Sequence, residues 1–339
     1  VVEKAVNELL SLKNLTEREA YAVFAAMTDA SLGPVRSAAV LTMLRMKGEQ
    51  PSEIAGAARL LRDRALKVRV SRRPVCDTCG TGGDSAGTFN ISTAAALLCA
   101  ACGLKVAKHG NRCVTSTCGS ADVMEALGYP LTLSPECSAA LIEKAGFAFL
   151  FAPQYHSSMK HVAEVRRQLG FRTIFNILGP LCNPAGATIQ TMGVSEERLL
   201  AVIPPVFRTL GLSGFVFHSE DGLDEISIGA RTRVVRVNRS GIAHEDVYPK
   251  ALGLCQAKPE DISGGSPSEN AEIIRSVFAG KERGPRRDVV CLNAAALLVA
   301  AGKARDLASG ISQAAEAIDA GAAMRKLDEI LREAQACVA

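Results

Sequence analysis

"CGTGGDSAGTFNIST", residues 79–93, decides how the rest of the chain reads. Four glycines (Gly80, Gly82, Gly83 and Gly87) interrupt a polar stretch, and Asn90, Ser92 and Thr93 follow just before an apolar run. Glycine accepts positive φ and carries no Cβ, so such a turn brings successive backbone N–H groups against a ligand, a nest suited to phosphate. The apolar run predicts a helix from about 93 to 102, whose N-terminal dipole end would favour the same anion. A Walker loop would close on Gly-Lys-Ser/Thr, which is absent, and Ser85 stands where a dinucleotide fingerprint needs its third glycine. On the glycines alone, a tight strand-to-helix turn without ligand stays open. Asn90, Ser92 and Thr93 can cap the helix, but three polar groups exceed what one cap requires. Ser92 also offers the kind of oxygen that holds Mg²⁺ on phosphates.

Upstream, residues 1–66 read as helix. "TEREAYAVFAAM" (16–27) has Thr16 and Glu19 in capping-box spacing and repeats Ala20, Val23, Phe24 and Met27 on one face. "AAVLTMLRMKG" (38–48) closes on Gly48, and "PSEIAGAARLLRDRA" (51–65) opens with Pro51. These elements predict a compact bundle, followed by a basic linker at 69–74. Downstream, strands alternate with helices. "LKVAKHG" (104–110), "GFVFH" (214–218) and "ISIG" (226–229) read as strands; "SADVMEALG" (120–128) reads as a helix with Ser120 as N-cap. "SPSENAEIIRSVFAG" (266–280) carries a Ser266–Glu269 capping box with Pro267 in the first turn. Such alternation predicts an α/β domain with a mostly parallel central sheet behind a small helical one.

Three further clusters carry chemistry. "KHGNRCVTSTCGSAD" (108–122) sets Lys108, His109, Asn111 and Arg112 directly after a strand, where ligands bind in open α/β sheets. Taking 158–169 as one helix, Met159, Val162, Val165 and Leu169 form an apolar stripe, and Arg166 lies on it. A guanidinium there demands an anion, either an internal carboxylate or a ligand. "SEDGLDEIS" (219–227) gathers Glu220, Asp221, Asp224 and Glu225 between two strands; beside a pyrophosphate, adjacent carboxylates offer the oxygens Mg²⁺ prefers.

Composition narrows the classes. A net charge of +4 with 22% charged residues suits small phosphorylated ligands and falls short of a nucleic-acid surface; aromatics at 4% without Trp provide no base-stacking platform. Apolar runs stay under the roughly 18 residues of a membrane span, no signal peptide is read at the start, and eleven cysteines imply reduced thiols, so a cytoplasmic protein is expected. Cys76, Cys79, Cys99 and Cys102 have four-thiolate zinc spacing, but "AAALLCAACG" (94–103) reads as an apolar helix and the glycine turn occupies the interval, so zinc is not expected.

"GTGGD" (80–84), "NIST" (90–93), "KHGNR" (108–112), "VRRQLGFRTIFNILGPLCNP" (165–184) and "DGLDEIS" (221–227), in that order, resemble the anthranilate phosphoribosyltransferase family. The likeness runs from "RMKGE" (45–49) to "NAAALL" (293–298). It implies a nucleoside phosphorylase-like fold with a helical domain of 1–70 joined by a returning segment at about 157–182, and an α/β domain of 75–156 and 183–339. It also implies a homodimer with the active site between the domains, joining anthranilate to phosphoribosyl pyrophosphate (PRPP).

By the same resemblance, Gly80, Gly83, Asp84, Thr88, Asn90, Ile91, Ser92, Thr93, Lys108, Gly110, Asn111, Arg112, Ser116 and Ser120 would bind PRPP. Gly80, His109, Asn111, His156, Arg166, Gly179 and Pro180 would bind anthranilate, Arg166 gripping its carboxylate. Two Mg²⁺ are implied, one on Ser92 and one on Asp224 and Glu225, with Lys108, His109 and Arg166 as the catalytic set. The chain departs from the family at Cys113, Thr117 and Cys118, where Ser or Ala, Lys and Ser are usual, and in "YHSSMK" (155–160), where "YHPAMK" is usual. The nearest alternatives are a pyrimidine nucleoside phosphorylase and a non-catalytic nucleic-acid-binding relative. The carboxylate-binding Arg and the Asp-Glu pair oppose the first; the intact acids and mild charge oppose the second.

Overall fold

The computed structural model describes residues 1–71, 74–113 and 117–338. The bundle opens the chain with α1 (Val2–Leu10), α2 (Glu17–Thr28), α3 (Pro34–Lys47) and α4 (Pro51–Arg64). Its boundaries follow local chemistry. The Thr16–Glu19 capping box forms, Gly48 ends α3 at φ 85°, and Pro51 occupies the first turn of α4. Ala20, Val23, Phe24 and Met27 are buried, as their spacing requires.

The remainder alternates. In order come β1 (Cys76–Gly80), α5 (Ile91–Ala101), β2 (Val106–Gly110), α6 (Ser120–Ala126), α7 (Pro135–Lys144), β3 (Phe147–Phe151) and the short α8 (Ala152–Tyr155). Then follow α9 (Lys160–Leu169), α10 (Phe175–Leu181), β4 (Ile189–Gly193), α11 (Leu199–Thr209), β5 (Ser213–Ser219), β6 (Thr232–Asn238) and β7 (Gly241–Val247). Four helices close the chain: α12 (Pro267–Phe278), α13 (Pro285–Ala300), α14 (Leu307–Asp319) and α15 (Ala322–Ala336). Among the described residues no helix is long and apolar enough to cross a membrane.

The seven strands form one sheet in the order β3-β2-β1-β4-β5-β6-β7. The first five run parallel and the last two antiparallel. The chain leaves β1 toward β2 and β3, then returns to the other side of β1 as β4. The reversal point therefore lies between β1 and β4, and ligands of such sheets bind beyond the strand ends there. Two buried cores flank the sheet. One joins α5, α13 and α15 to β1–β3; the other joins the bundle, α9, α10 and α11 to Met192, Val216 and Val235 on the sheet.

Four local readings change. "ISIG" (226–229) is not a strand: its residues form a buried loop in which Ile226 exchanges two backbone hydrogen bonds with the Asn293 side chain. The hairpin β6–β7 supplies the last two strands instead. Ser120 is the first residue of α6 rather than its cap; Gly119 precedes it and donates its N–H to Asp122 Oδ2 at 2.9 Å. The helix after the glycine turn starts at Ile91, and Asn90 occupies its cap position without a capping hydrogen bond.

Candidate active site

The site is built on a floor of two glycines. Gly80 and Gly193 are partners in the β1–β4 register, at the C-terminal ends of both strands. A Cβ on Gly80 would overlap Asp224 Oδ2, and one on Gly193 would overlap the Asp224 carbonyl. Gly80 does not have positive φ. It is needed because a carboxylate lies directly on it. The turn itself uses left-handed backbone at Gly82 (66°), Gly83 (78°), Ser85 (56°) and Gly87 (65°).

Asp224 Oδ2 accepts from Gly82 N at 2.6 Å, and Glu225 Oε1 accepts from Ser92 N at 3.1 Å. The two acids thus pin both ends of the glycine loop. Both are buried. Burial first, then the charge of Asp84, pushes the Asp224 carboxyl up to about 7. Burial, then the charge of Asp224, pushes Glu225 up to about 8. Lys108 on β2 is also buried; its Nζ donates to Thr78 O at 2.8 Å and to Ser92 Oγ at 3.3 Å. Two crowded carboxylates in a dry position favour a divalent cation, and with the Ser92 hydroxyl they form the hard oxygen set that Mg²⁺ takes alongside substrate oxygens. The residues therefore fit Mg²⁺.

Around the loop, Asp84 Oδ1 accepts from Ala86 N at 3.3 Å and Thr88 bridges to Ser263. Ile91 and Thr93 are buried, and Thr93 Oγ1 has no hydrogen-bond partner among the described residues. Asn90 turns away from the helix: its Nδ2 donates to Cys118 O at 3.1 Å, while its Oδ1 accepts from Cys118 Sγ and from Asn270 Nδ2. It anchors the stretch after β2. There Gly110 leaves room for Ser120 Oγ, which accepts from Asn111 N at 3.2 Å. Asn111 is exposed. Arg112 is already held by Asp122 (2.8 Å) and by both oxygens of Glu125. Ser116 lies outside the described residues.

A second group meets the end of β2. His109 Nδ1 lies 3.1 Å from Gly179 O, and the His109 and His156 rings are 5.1 Å apart. Burial pushes His109 down to about 3 and His156 to about 4, so both imidazoles are neutral near pH 7. The Nε2 of each is buried without a partner among the described residues. Pro180 O accepts from Gln190 Nε2 at 2.6 Å, which fixes the Gly179–Pro180 corner of α10. Arg166 on α9 stacks over the Phe175 ring at 5.3 Å and has no ion pair among the described residues. Its burial lowers its pKa with no acid to offset it. The internal carboxylate that the apolar stripe left open is therefore not among its described partners.

The four cysteines of zinc-like spacing do not converge. Cys99 Sγ donates to Ala294 O and Cys102 Sγ to Gln313 O, whereas Cys79 accepts from Gln190. No group of three or more His, Cys, Asp or Glu placed to hold a metal occurs among the described residues. Sequence reasoning passed over Gly193, Asn270, Asn293 and Arg172. Arg172, Asn270 and Asn293 lay inside quoted stretches and Gly193 outside them, but none gives a local signal, since their partners lie far away in the chain.

The bundle, the sheet and this site define a glycosyl-transferring class. The model for the glycosyl transferase family a/b domain matches residues 72–324, and that for its helical bundle domain matches 3–65. The chain belongs to the anthranilate phosphoribosyltransferase family. It is 51% identical to the anthranilate phosphoribosyltransferase of Symbiobacterium thermophilum over 320 residues, covering 94% of this chain and 93% of that one. The crystal structure of the Thermus thermophilus enzyme superposes with a TM-score of 0.93 at 44% identity, covering 98% and 99% of the two chains. The Saccharomyces cerevisiae enzyme, in complex with PRPP and Mg, superposes with a TM-score of 0.91 at 28% identity, covering 99% and 98%.

Proposed function

We propose that this chain transfers the phosphoribosyl group of PRPP to the amine of anthranilate, releasing phosphoribosyl-anthranilate and pyrophosphate. The observation that carries it is the buried Asp224–Glu225 pair pinned to both ends of the glycine loop. Once ionised, that pair favours a divalent cation and supplies the carboxylate oxygens to hold it.

An aromatic amine is neutral near pH 7, so its lone pair attacks the sugar C1 without prior deprotonation as the C1–O bond to the diphosphate breaks; the newly bonded nitrogen, acidic once it carries positive charge, then sheds its proton to the released pyrophosphate or to water. The barrier lies in the departing diphosphate and the cationic sugar. The loop amides of residues 83–85 and 87–88, which have no acceptor among the described residues, would take the charge that builds on the leaving group, and the buried Lys108 ammonium, held on Thr78 O and Ser92 Oγ, adds positive potential behind them. Asp224, Glu225 and Ser92 would hold Mg²⁺, two ions by family likeness, and bound Mg²⁺ neutralises diphosphate charge. Arg166 takes the anthranilate carboxylate in a planar fork, for which its lack of an internal acid leaves it available. His109 and His156 are too weakly basic to pull a proton in the ground state; their Nε2 atoms orient the amine, against the wall made by Gly179 and Pro180.

We further assign 1–70 with 157–182 to the helical domain and 75–156 with 183–339 to the α/β domain. The shared core of Phe24 and Leu44 with Val162 and Ile174 supports this division, although α11 also enters that core. Family likeness supports a homodimer, and eleven free cysteines support a reducing, cytoplasmic setting. Mixing the protein with anthranilate, PRPP and Mg²⁺ should extinguish anthranilate fluorescence in a PRPP-dependent way. A signal that stays constant in all mixtures would contradict the assignment.

A further inference from the structure

Arg172 lies in the short turn between α9, which carries Arg166, and α10, which carries Gly179 and Pro180. The turn is fixed on both sides: Gly170 ends α9 at φ 66°, and Thr173 N donates to Asn176 Oδ1 at 2.9 Å. From it the Arg172 side chain crosses to the glycine loop. Its Nη2 donates to Thr81 O at 3.3 Å, and its Nη1 fills the space that a Cβ on Gly83 would need. Gly83 thus carries two demands, a positive φ of 78° and room for a guanidinium.

Arg172 differs from its neighbour in how its charge is used. Arg167 is paired with Glu164, which accepts from its Nε and Nη2. Arg172 has no carboxylate within ion-pair distance among the described residues, and it contacts a backbone carbonyl of the loop instead. Thr81 is already tied from the sheet side, through its N–H to Gly193 O at 3.0 Å and its Oγ1 to Ser195 N at 3.1 Å. The guanidinium closes the opposite side. A planar, rigid fork across two peptide units restricts the loop without consuming its N–H groups, and a pre-ordered loop binds its ligand with less entropy lost.

We infer that Arg172 is a positioning residue that clamps the glycine loop from the anthranilate-side segment and thereby sets affinity for the phosphoribosyl donor. The inference rests on the functional reading above. Its physical content is that the two substrate sites share one mechanical tie, and that the tie acts on the donor loop.

The test uses Arg172→Ala and Arg172→Lys in the whole 339-residue chain, with steady-state kinetics for both substrates and hydrogen exchange of the loop amides 80–88 in the substrate-free state. For Arg172→Ala the expected result is a rise of about 10-fold or more in KM for PRPP, with KM for anthranilate moving less than about 3-fold. Loop exchange should speed up severalfold while exchange in α5 stays unchanged. Lys keeps the charge but not the fork, so it should recover only part of the effect. A KM for PRPP within about 2-fold of the parent, an equal rise in both KM values, or full recovery by Lys would overturn the clamp. If Arg172→Ala fails to fold, Arg172→Lys and its loop exchange decide alone. Absence of turnover in the parent protein would strike at the functional reading, whereas unchanged loop exchange would strike at the clamp.

Discussion

At Gly80 the missing side chain serves Asp224 rather than a backbone torsion, because a Cβ there would overlap the carboxylate. Residue type was legible in the sequence, and its reason was not: glycine is read locally as conformational freedom, whereas the demand comes from a residue 144 positions away. The acids themselves carry a testable pH signature. In the unfolded chain Asp and Glu titrate near about 4; in the fold they are pushed up to about 7 and about 8. Between those limits the metal-free fold holds more protons than the unfolded chain, so these groups lower stability as pH rises through about 4 to 8. A divalent cation that binds the ionised pair offsets this loss. Mg²⁺ should therefore raise the unfolding midpoint at about pH 8.5 and leave it unmoved at about pH 5.5, and Asp224→Asn with Glu225→Gln should erase the difference. An equal shift at both pH values would be incompatible with the assigned ligands. At Arg166, replacement by Ala should raise KM for anthranilate by about 10-fold or more while KM for PRPP changes little, because a lost bidentate carboxylate bond acts on one substrate. Steady-state titration of each substrate separates the two.

Elements with capping chemistry were legible: Thr16 and Glu19, Ser266 and Glu269, and the prolines at helix starts all act as their spacing says. Elements set by tertiary contact were not. "ISIG" has the composition of a strand, yet Asn293 on α13 pulls it into a loop by donating to Ile226 O and accepting from Ile226 N, both at 2.9 Å. The real strands, β6 and β7, are charge-rich, and β7 is exposed along most of its length, so no apolar alternation marks it. Asn293 holds the residue next to Glu225, which makes it a support for the acid pair. Asn293→Ala should leave two buried backbone groups unpaired and cost about 2 kcal/mol or more. Chemical denaturation measures that loss, and the Mg²⁺-dependent shift at alkaline pH should shrink with it; a neutral substitution would remove Asn293 from the account.

Across the whole molecule, strand order brings the parts together. The reversal between β1 and β4 places two register-paired glycines at one spot, and the 220–231 loop falls across them. The returning segment α9–α10 reaches the same spot from the bundle side through Arg172 and through Gly179 against His109. The sequence shows the α/β alternation and the bundle because periodicity and caps are local; it cannot show which loops converge, since that depends on strand order. The most direct test is a crystal structure with PRPP, Mg²⁺ and a non-reacting anthranilate analogue. The diphosphate should lie on the loop amides without an acceptor among the described residues, those of residues 83–85 and 87–88, with metal on Asp224 and Glu225, and the analogue's carboxylate should meet Arg166. A diphosphate bound elsewhere, with Arg166 paired to an acid of the protein, would contradict the account.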